Sequence, residues 1–267
     1  MEHILRKPFL LNLLVPLATM AALPAFCFDV SGVQLGSDLN GAIQQLKQVN
    51  PKFQIITISS VKEQTGLIGV AKEPRPSFSG EVVNTPVDEM LVFKAELDKI
   101  WYIERDQYPA RDQGFTADTL KSALLKKYGP PSKPDEPSNF EQPGIKSGYM
   151  AWAYDRSGKQ SFVEYKLPPG TFPENQVVCS YVQLASKQSP VNDFSTSIQF
   201  PYSTTKTCGV ILQAYWESVD GFVKRYMVSA YDVKTLYDYQ IKLARQAEAD
   251  KQRAFDEQVN KKIAPKL

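Results

Sequence analysis

Two short helices are predicted where apolar residues recur three and four positions apart along the chain. The first is predicted over Ser37 to Val49, with Ser37 as its N-cap. The second is predicted over 117–128, between the N-cap Thr116 and Gly129, a residue type that readily adopts the left-handed conformation found after many helices. The residues expected on their apolar faces are Leu39, Ala42, Ile43 and Leu46 in the first helix, and Leu120, Ala123, Leu124 and Lys127 in the second.

A longer helix is predicted at the C-terminus, with Asp232 as its N-cap. Leu236, Tyr239 and Leu243 give its first turns an apolar face, which then thins among charged residues. We therefore expect the first turns to pack on a sheet and the remainder to project from it. The charged segment 242–257 is either a partner-binding arm or a solvated helix.

Strands are predicted in the first half where β-branched and aromatic residues alternate with polar ones. One strand is predicted over 53–60, and a proline-containing loop over 73–79. The clearest hairpin pairs residues 89–95 with 99–105. On one face of this hairpin we expect the following side chains to meet: Leu91, Phe93, Ala95, Trp101 and Ile103.

Antiparallel strands are also predicted in the second half. One hairpin pairs 149–155 with 160–166, and Val219-Asp220-Gly221 forms a tight turn between the last two strands. The other strands are expected near 177–184, 195–200, 208–216 and 222–230. The segment 130–148 contains five prolines among polar residues, which favours a linker.

These elements predict an α+β fold, a mostly antiparallel sheet with two short helices and a long C-terminal helix. The linker would separate an N-terminal α+β unit, 28–129, from an antiparallel β unit, 149–232, and the last helix would occupy 233–267. A shift of 81 residues places Leu39, Ala42 and Ile43 on Leu120, Ala123 and Leu124. The two units are thus either related α/β-meander duplicates or simply share the pattern of any two amphipathic helices.

The N-terminal composition adds a targeting segment, because residues 1–27 have the form of a secretory signal peptide. The apolar stretch 9–23 follows two basic residues and is too short to span a bilayer. Cleavage is expected after Ala25 or after Cys27, and the bulky Phe26 argues against lipidation of that cysteine. We expect a soluble periplasmic protein without a membrane span, the alternative being an anchor that is never removed.

Signal cleavage changes the available chemistry because it removes His3, the only histidine. The mature chain then has no Ser-His-Asp or Cys-His catalysis, no histidine-ligated zinc and no imidazole base. If cleavage follows Cys27, the two remaining cysteines, Cys179 and Cys208, are expected to form a disulfide. Two free thiols are the alternative, without a histidine to activate either.

Composition and charge exclude several classes of function. Apolar residues make up 43% of the chain and aromatic residues 11%, which is enough for a folded core. The formal charge of +2 falls to about +1 on cleavage, and such a balance does not indicate a nucleic-acid partner. The chain has no phosphate loop, dinucleotide fingerprint or calcium loop, so we expect no cofactor and no metal.

A short motif near the expected mature N-terminus carries a family resemblance. The run Gly32-Val33-Gln34-Leu35-Gly36, followed by Leu39 and Ala42, resembles the start of small bacterial envelope modules in which a helical segment precedes an antiparallel meander. The layout is similar to that of outer-membrane assembly lipoproteins and of β-lactamase inhibitor proteins. The resemblance implies a binding surface on the sheet, without catalysis. Ser37 stands where the assembly modules usually carry Met, and a lipid-bearing cysteine is lacking.

Aromatic residues on the predicted strands are the candidate binding residues. A sheet face rich in tryptophan and tyrosine could bind a protein or a glycan, because these side chains provide large contact areas at modest entropic cost. The alternative is that each simply packs in the core. The candidates are Trp101, Tyr102, Trp152, Tyr154, Tyr215 and Trp216, with Tyr165 in the same cluster.

Carboxylates offer the remaining catalytic route, because a suitably spaced pair can hydrolyse glycosidic bonds. The candidates on or beside strands are Glu104, Asp106, Glu164, Glu217 and Asp220. Solvated edge and turn charges are the alternative interpretation of these residues.

Three functional hypotheses follow. The first is a non-catalytic periplasmic interaction protein, either an inhibitor or immunity-type binder of another envelope or secreted protein, or an envelope assembly accessory. The second is a carboxylate-dependent cell-wall glycan hydrolase, and the third is a carrier of a small ligand in a cavity of the sheet.

The predicted disulfide can be tested by peptide mapping without reduction, on protein exported with its own signal. We expect one linked peptide pair containing Cys179 and Cys208, and a stabilisation of about 3 kcal/mol from closing the loop. Recovery of both cysteines as alkylated thiols would contradict the prediction.

Overall fold

The computed structural model describes residues 28–59, 65–76, 80–94, 99–110, 114–137, 144–160 and 208–262. Several predictions concern residues outside these ranges. They are the signal peptide 1–27, the strands near 177–184 and 195–200, most of the strand 160–166, and the residues Glu164, Tyr165 and Cys179.

The described residues form an α+β fold, as predicted, with three helices and an eight-stranded antiparallel sheet. The helices are α1 (Leu39–Val49), α2 (Ala117–Tyr128) and α3 (Val233–Lys262). A small two-stranded sheet pairs β1 (Asp29–Val30) with β2 (Val33–Gln34). The strands of the large sheet are β3 (Gln54–Ser59), β4 (Thr65–Pro76), β5 (Val82–Lys94), β6 (Ile100–Gln107), β7 (Lys133–Pro137), β8 (Ile145–Asp155), β9 (Cys208–Val219) and β10 (Phe222–Asp232).

The sheet consists of two sets of four strands, each preceded by a short helix. The strand order is β3-β4-β5-β6-β10-β9-β8-β7. The last strands of the two sets, β6 and β10, therefore pair with each other at the centre of the sheet. Strands from both predicted units therefore form one continuous sheet. A true duplication of the two units remains a prediction.

The predicted linker 130–148 is partly strand, which corrects the sequence interpretation. It contains β7 and the beginning of β8, and β7 pairs with β8 at one edge of the sheet. Proline is tolerated there because an edge strand can leave one side of its backbone unpaired. The proline content that indicated a linker is thus compatible with an edge strand.

The predicted loop 73–79 is corrected over 73–76 for a related reason, and 77–79 lies outside the described residues. Strand β4 continues to Pro76 and pairs with the beginning of β5 as far as Val82. Strand β3 pairs only with residues 65–70, so this part of the β4–β5 ribbon extends beyond its neighbour. Its prolines therefore face a side on which no ladder hydrogen bond is required.

Helix α2 has the predicted limits, whereas α1 begins two residues later than predicted. The Thr116 hydroxyl accepts a hydrogen bond from the Thr119 amide at 3.2 Å. At α1 the N-cap is Asp38, which accepts from the Asn40 amide at 2.7 Å, while the Ser37 hydroxyl donates to the Gln34 carbonyl. The hydroxyl of Ser37 closes the preceding turn and is not available as a cap.

Helices α1 and α2 pack on one face of the sheet, which we call the helix face. Three predicted apolar-face residues are exposed instead of buried: Ile43, Ala123 and Lys127. The helix-face core includes Leu39, Ala42, Leu46, Leu120 and Leu124 of the helices, and Val92, Ile103, Trp152, Leu212 and Trp216 of the sheet.

The opposite face, which we call the outer face, receives the first turns of α3. Val233 and Leu236 pack there with Tyr102, Ile211 and Tyr231. Asp232 caps the helix as predicted, since its carboxylate accepts from the Thr235 amide at 2.9 Å. All residues from 242 to 259 are exposed. Leu243, predicted on the packing face, is therefore exposed instead, while the predicted projection of the helix end is confirmed beyond it.

The hairpin of β5 and β6 is confirmed, but the predicted grouping of its side chains is partly wrong. Phe93 lies opposite Tyr102, and Val92 lies opposite Ile103. Directly opposite residues share a face, so Ile103 belongs to the helix face while Leu91 and Phe93 belong to the outer face. A register irregularity between Phe93 and Lys94 lets Trp101 join the outer-face cluster; Ala95 is outside the described residues.

The predicted turn between β9 and β10 is confirmed. Asp220 and Gly221 both have positive φ, 52° and 83°, and Val219 pairs with Phe222. Two central residues with positive φ define the type I′ turn, whose twist matches that of the strands it joins.

In the described part of the chain, no helix is long and apolar enough to cross a membrane.

Two glycines with different backbone requirements provide a stability test. Gly41 lies on the exposed side of α1 with open space around an added methyl group, so Gly41→Ala should stabilise the fold by about 0.5–1 kcal/mol. Gly221 has equal space but positive φ, so Gly221→Ala should destabilise it by about 1 kcal/mol. Urea unfolding of both variants measures the signs, and a shared sign would contradict the assigned backbone geometry.

Candidate binding surface on the outer face

Five side chains on three adjacent strands form a half-buried surface on the outer face. Tyr149 of β8 lies opposite Tyr215 of β9, and Tyr215 lies opposite Met227 of β10. Two residues further along β9 and β10, Glu217 lies opposite Arg225. Because side chains two apart on a strand point to the same side, all five share one face. We call these residues the outer-face patch.

Arg225 is held in place by a buried carboxylate. Its Nε and Nη2 atoms donate to the two oxygens of Asp106 at 3.0 and 2.8 Å. The Asp106 side chain is 2% exposed and that of Arg225 is 30% exposed. The hydrogen bonds to Asp106 raise the pKa of Arg225 above its usual value, although burial acts in the opposite direction. The guanidinium is therefore a permanent, oriented cation.

Further contacts fix the surroundings of this cation. Nη1 of Arg225 lies 3.9 Å from Glu217, and the guanidinium lies 5.4 Å from the centre of the Tyr108 ring. The Tyr215 hydroxyl donates to Glu217 at 3.0 Å. Burial, and then the hydrogen bond to Glu217, raise the pKa of Tyr215 to about 12, so its phenol is neutral at ordinary pH. At the other side, the ammonium group of Lys133 lies 5.9 Å from the Tyr149 ring centre.

The structure places three of the five predicted carboxylates on the outer face. Glu104 is buried and accepts a hydrogen bond from Tyr102 at 2.6 Å. Asp106 is occupied by Arg225, and Glu217 is partly exposed. Asp220 lies instead in the β9–β10 turn, and Glu164 is outside the described residues. Of the three, only Glu217 reaches solvent, so these described carboxylates do not by themselves form the accessible pair that glycoside hydrolysis needs.

The six predicted aromatic residues are not brought together. Trp152, Tyr154 and Trp216 belong to the helix-face core, whereas Trp101 and Tyr102 lie in the outer-face cluster that α3 contacts. Trp152 also donates to the Gly129 carbonyl at 2.9 Å, which ties α2 to the sheet. Tyr215 is the one member in the outer-face patch. Tyr215 and Trp216 lie on opposite faces because neighbouring residues on a strand alternate, whereas Trp101 and Tyr102 share a cluster at the register irregularity between β5 and β6.

Sequence reasoning missed three residues of the patch: Tyr149, Arg225 and Met227. The available signal is alternation with core residues, since Tyr149 precedes the buried Met150 and Met227 lies between Tyr226 and Val228, all three of which pack on the helix side. That signal identifies a face only once the strand register is known, and the register is irregular between Val223 and Arg225.

The helix face carries a cavity of about 500 Å³ at one end of the sheet, near the C-terminus of α1. Asp88 lies in its wall and is bound by Arg105 at 2.9 and 2.8 Å and by Asn50 at 2.9 Å. These polar groups satisfy one another. The cavity therefore gives the carrier hypothesis a space, in which Asp88 is already occupied by partners within the protein.

Two further predictions concern ligands and cross-links. Cys208 is buried at the start of β9, while Cys179 is outside the described ranges, so their disulfide stays a prediction. No group of three or more potential metal ligands is found among the residues that the structure describes.

Comparison of the chain with protein-family models, curated proteins and solved structures finds no match in any of the three. The envelope-module resemblance thus remains an expectation, and the function is argued from the surface itself.

The Arg225–Asp106 pair can be tested by a double-mutant cycle. Arg225→Met leaves a buried carboxylate without its main partner and should lower the free energy of unfolding by about 2–3 kcal/mol. Adding Asp106→Leu removes the stranded charge and should restore much of that loss. Urea unfolding measures all three variants. If the free energy of unfolding of Arg225→Met lies within about 0.5 kcal/mol of the wild-type value, the pair does not stabilise the fold.

Proposed function

We propose that the protein is a non-catalytic periplasmic interaction protein, which binds another envelope or secreted protein through the outer-face patch. It acts either as an inhibitor or immunity-type binder or as an envelope assembly accessory. The observation that carries the proposal is the composition of the patch, two tyrosines, an arginine and a methionine half-exposed on adjacent strands.

This composition is typical of protein interfaces. Tyrosine and arginine are enriched among the residues that contribute most to binding, and methionine is enriched in interface cores. The patch also contains a carboxylate, Glu217, which accepts a hydrogen bond from Tyr215 and forms an ion pair with Arg225. A partner with an apolar or aromatic centre and polar edges would complement it.

Rigidity is a second argument for binding at this surface. The patch lies on β8, β9 and β10, and the central strand β9 pairs with both of its neighbours along most of its length. Arg225 is already ordered by Asp106, and a tyrosine loses little rotamer freedom on binding. Preorganisation of this kind lowers the entropic cost of association. The resemblance of residues 32–42 to envelope modules implies a binding surface on the sheet, without indicating which residues form it.

Binding can be tested by recovering a partner from envelope extract and measuring its affinity for purified variants. The double variant Tyr215→Ala/Met227→Ala should weaken binding at least tenfold, which corresponds to about 1.4 kcal/mol. Tyr239→Ala on α3 is the matched control and should leave binding unchanged. Circular dichroism and urea unfolding check that each variant is folded.

Two outcomes would count against this proposal. One is failure to recover any stoichiometric partner, and the other is equal binding by the patch variant and the control. Release of fragments from purified peptidoglycan by the wild type, lost in Glu217→Gln, would favour the glycan hydrolase instead.

A further inference from the structure

The two edges of the described sheet differ in their protection against further strand pairing. Strand β7 at one edge has the sequence Lys-Pro-Asp-Glu-Pro, in which every residue is charged or a proline. Charges and prolines on an edge strand oppose the addition of another strand. Strand β3 at the other edge has the sequence Gln-Ile-Ile-Thr-Ile-Ser and contains neither. One edge is blocked and the other is left able to pair.

Strand β3 is also exposed. Gln54, Ile56 and Thr57 are all exposed, and Ile56 is 51% exposed despite its apolar side chain. Ile56 lies opposite Ile68, which packs in the outer-face cluster, so Ile56 extends the outer face to the edge. An edge strand of this kind presents backbone N–H and C=O groups and an apolar side chain together.

We propose that β3 pairs antiparallel with β3 of a second copy of this chain, about a two-fold axis perpendicular to the sheet. In such a pair the residue on the axis meets its own counterpart and every other residue meets one of equal parity, so a charge at the central position would meet a like charge. None of the six residues of β3 is charged. A register centred on Ile56 places the two exposed isoleucine side chains next to each other, which is a favourable cross-strand pair.

The lack of charge on β3 is what favours a second copy over a different partner. A strand selected to bind a particular foreign strand can use charge complementarity to choose it, as interfaces commonly do. Strand β3 has no charged side chain for such selection. It offers backbone hydrogen-bonding groups and uncharged side chains, which an identical strand can meet without charge repulsion. This inference rests on the edge alone and does not require the proposed function of the outer-face patch.

Dimerisation through β3 would join two eight-stranded sheets and keep both outer faces on the same side. The outer-face patch begins on β10, four strands from β3, or about 19 Å away at the usual strand spacing. The two patches would therefore be presented together without blocking each other. Such an arrangement would allow bivalent binding to a repetitive or dimeric partner.

The test combines analytical ultracentrifugation over a concentration series with hydrogen exchange of the β3 amides. The wild type should show a reversible monomer–dimer equilibrium, and protection of residues 54–59 should rise with protein concentration. Ile56→Lys places like charges at the symmetric contact and should raise the dimer dissociation constant at least tenfold. Val82→Lys is the matched control, because Val82 is 72% exposed on strand β5 and lies outside β3. It should leave the equilibrium unchanged.

Each contrary outcome would overturn the inference. A wild type that stays monomeric at the highest concentration would do so, as would equal effects of the two lysine variants. Protection of the β3 amides that is independent of concentration would show that a segment of the same chain covers the edge. The ultracentrifugation and hydrogen-exchange measurements on the wild type do not depend on the folding of a variant. Circular dichroism verifies that Ile56→Lys retains the sheet.

Discussion

The pairing of β6 with β10 joins the two halves of the sheet, and the arrangement of both faces depends on it. Six consecutive residue pairs, from Tyr102 with Tyr231 to Gln107 with Tyr226, connect strands that are more than 100 residues apart in sequence. On the outer face, the Tyr102 and Tyr231 rings meet at 4.9 Å near one end, and Arg225 binds Asp106 near the other. Aromatic packing and a charged hydrogen-bonded pair thus stabilise the same junction.

Polar residues at this junction also restrict its register. Glu104 and Asp106 are buried on the outer face, as are Gln213 and Ser229 on the neighbouring strands. A slip of one residue would move such side chains into the apolar layer beneath α1 and α2, where burial of an unpaired charge is costly. The polar row therefore contributes to a unique pairing, and the ion pair with Arg225 makes its burial tolerable. The same constraint leaves Arg225 fixed at the surface, where it can take part in recognition.

One end of the outer face is covered by a helix, and the other end is partly exposed. Its end near Tyr102 and Tyr231 packs against the first turns of α3, while the other end carries the outer-face patch. Arg156, in the turn after β8, reinforces the docked part of α3 through Asp238 at 3.2 Å and the ring of Tyr237. Beyond this anchor the helix is exposed. Two different surfaces, the patch and the β3 edge, thus lie on one rigid sheet without overlapping.

The amino-acid sequence by itself determined the elements that depend on neighbouring residues. Thr116 and Gly129 delimit α2, Asp232 begins α3, and Asp220 with Gly221 turns β9 into β10, because caps and turns form between groups a few residues apart. Only the tertiary structure decided which face each strand residue occupies and which strand lies at an edge. Trp216 is buried beside the half-exposed Tyr215, and Pro134 lies in an edge strand, because both depend on pairing with distant segments. The outer-face patch is a product of that pairing, and the local sequence pattern identified Tyr215 and Glu217 without the residues that complete it.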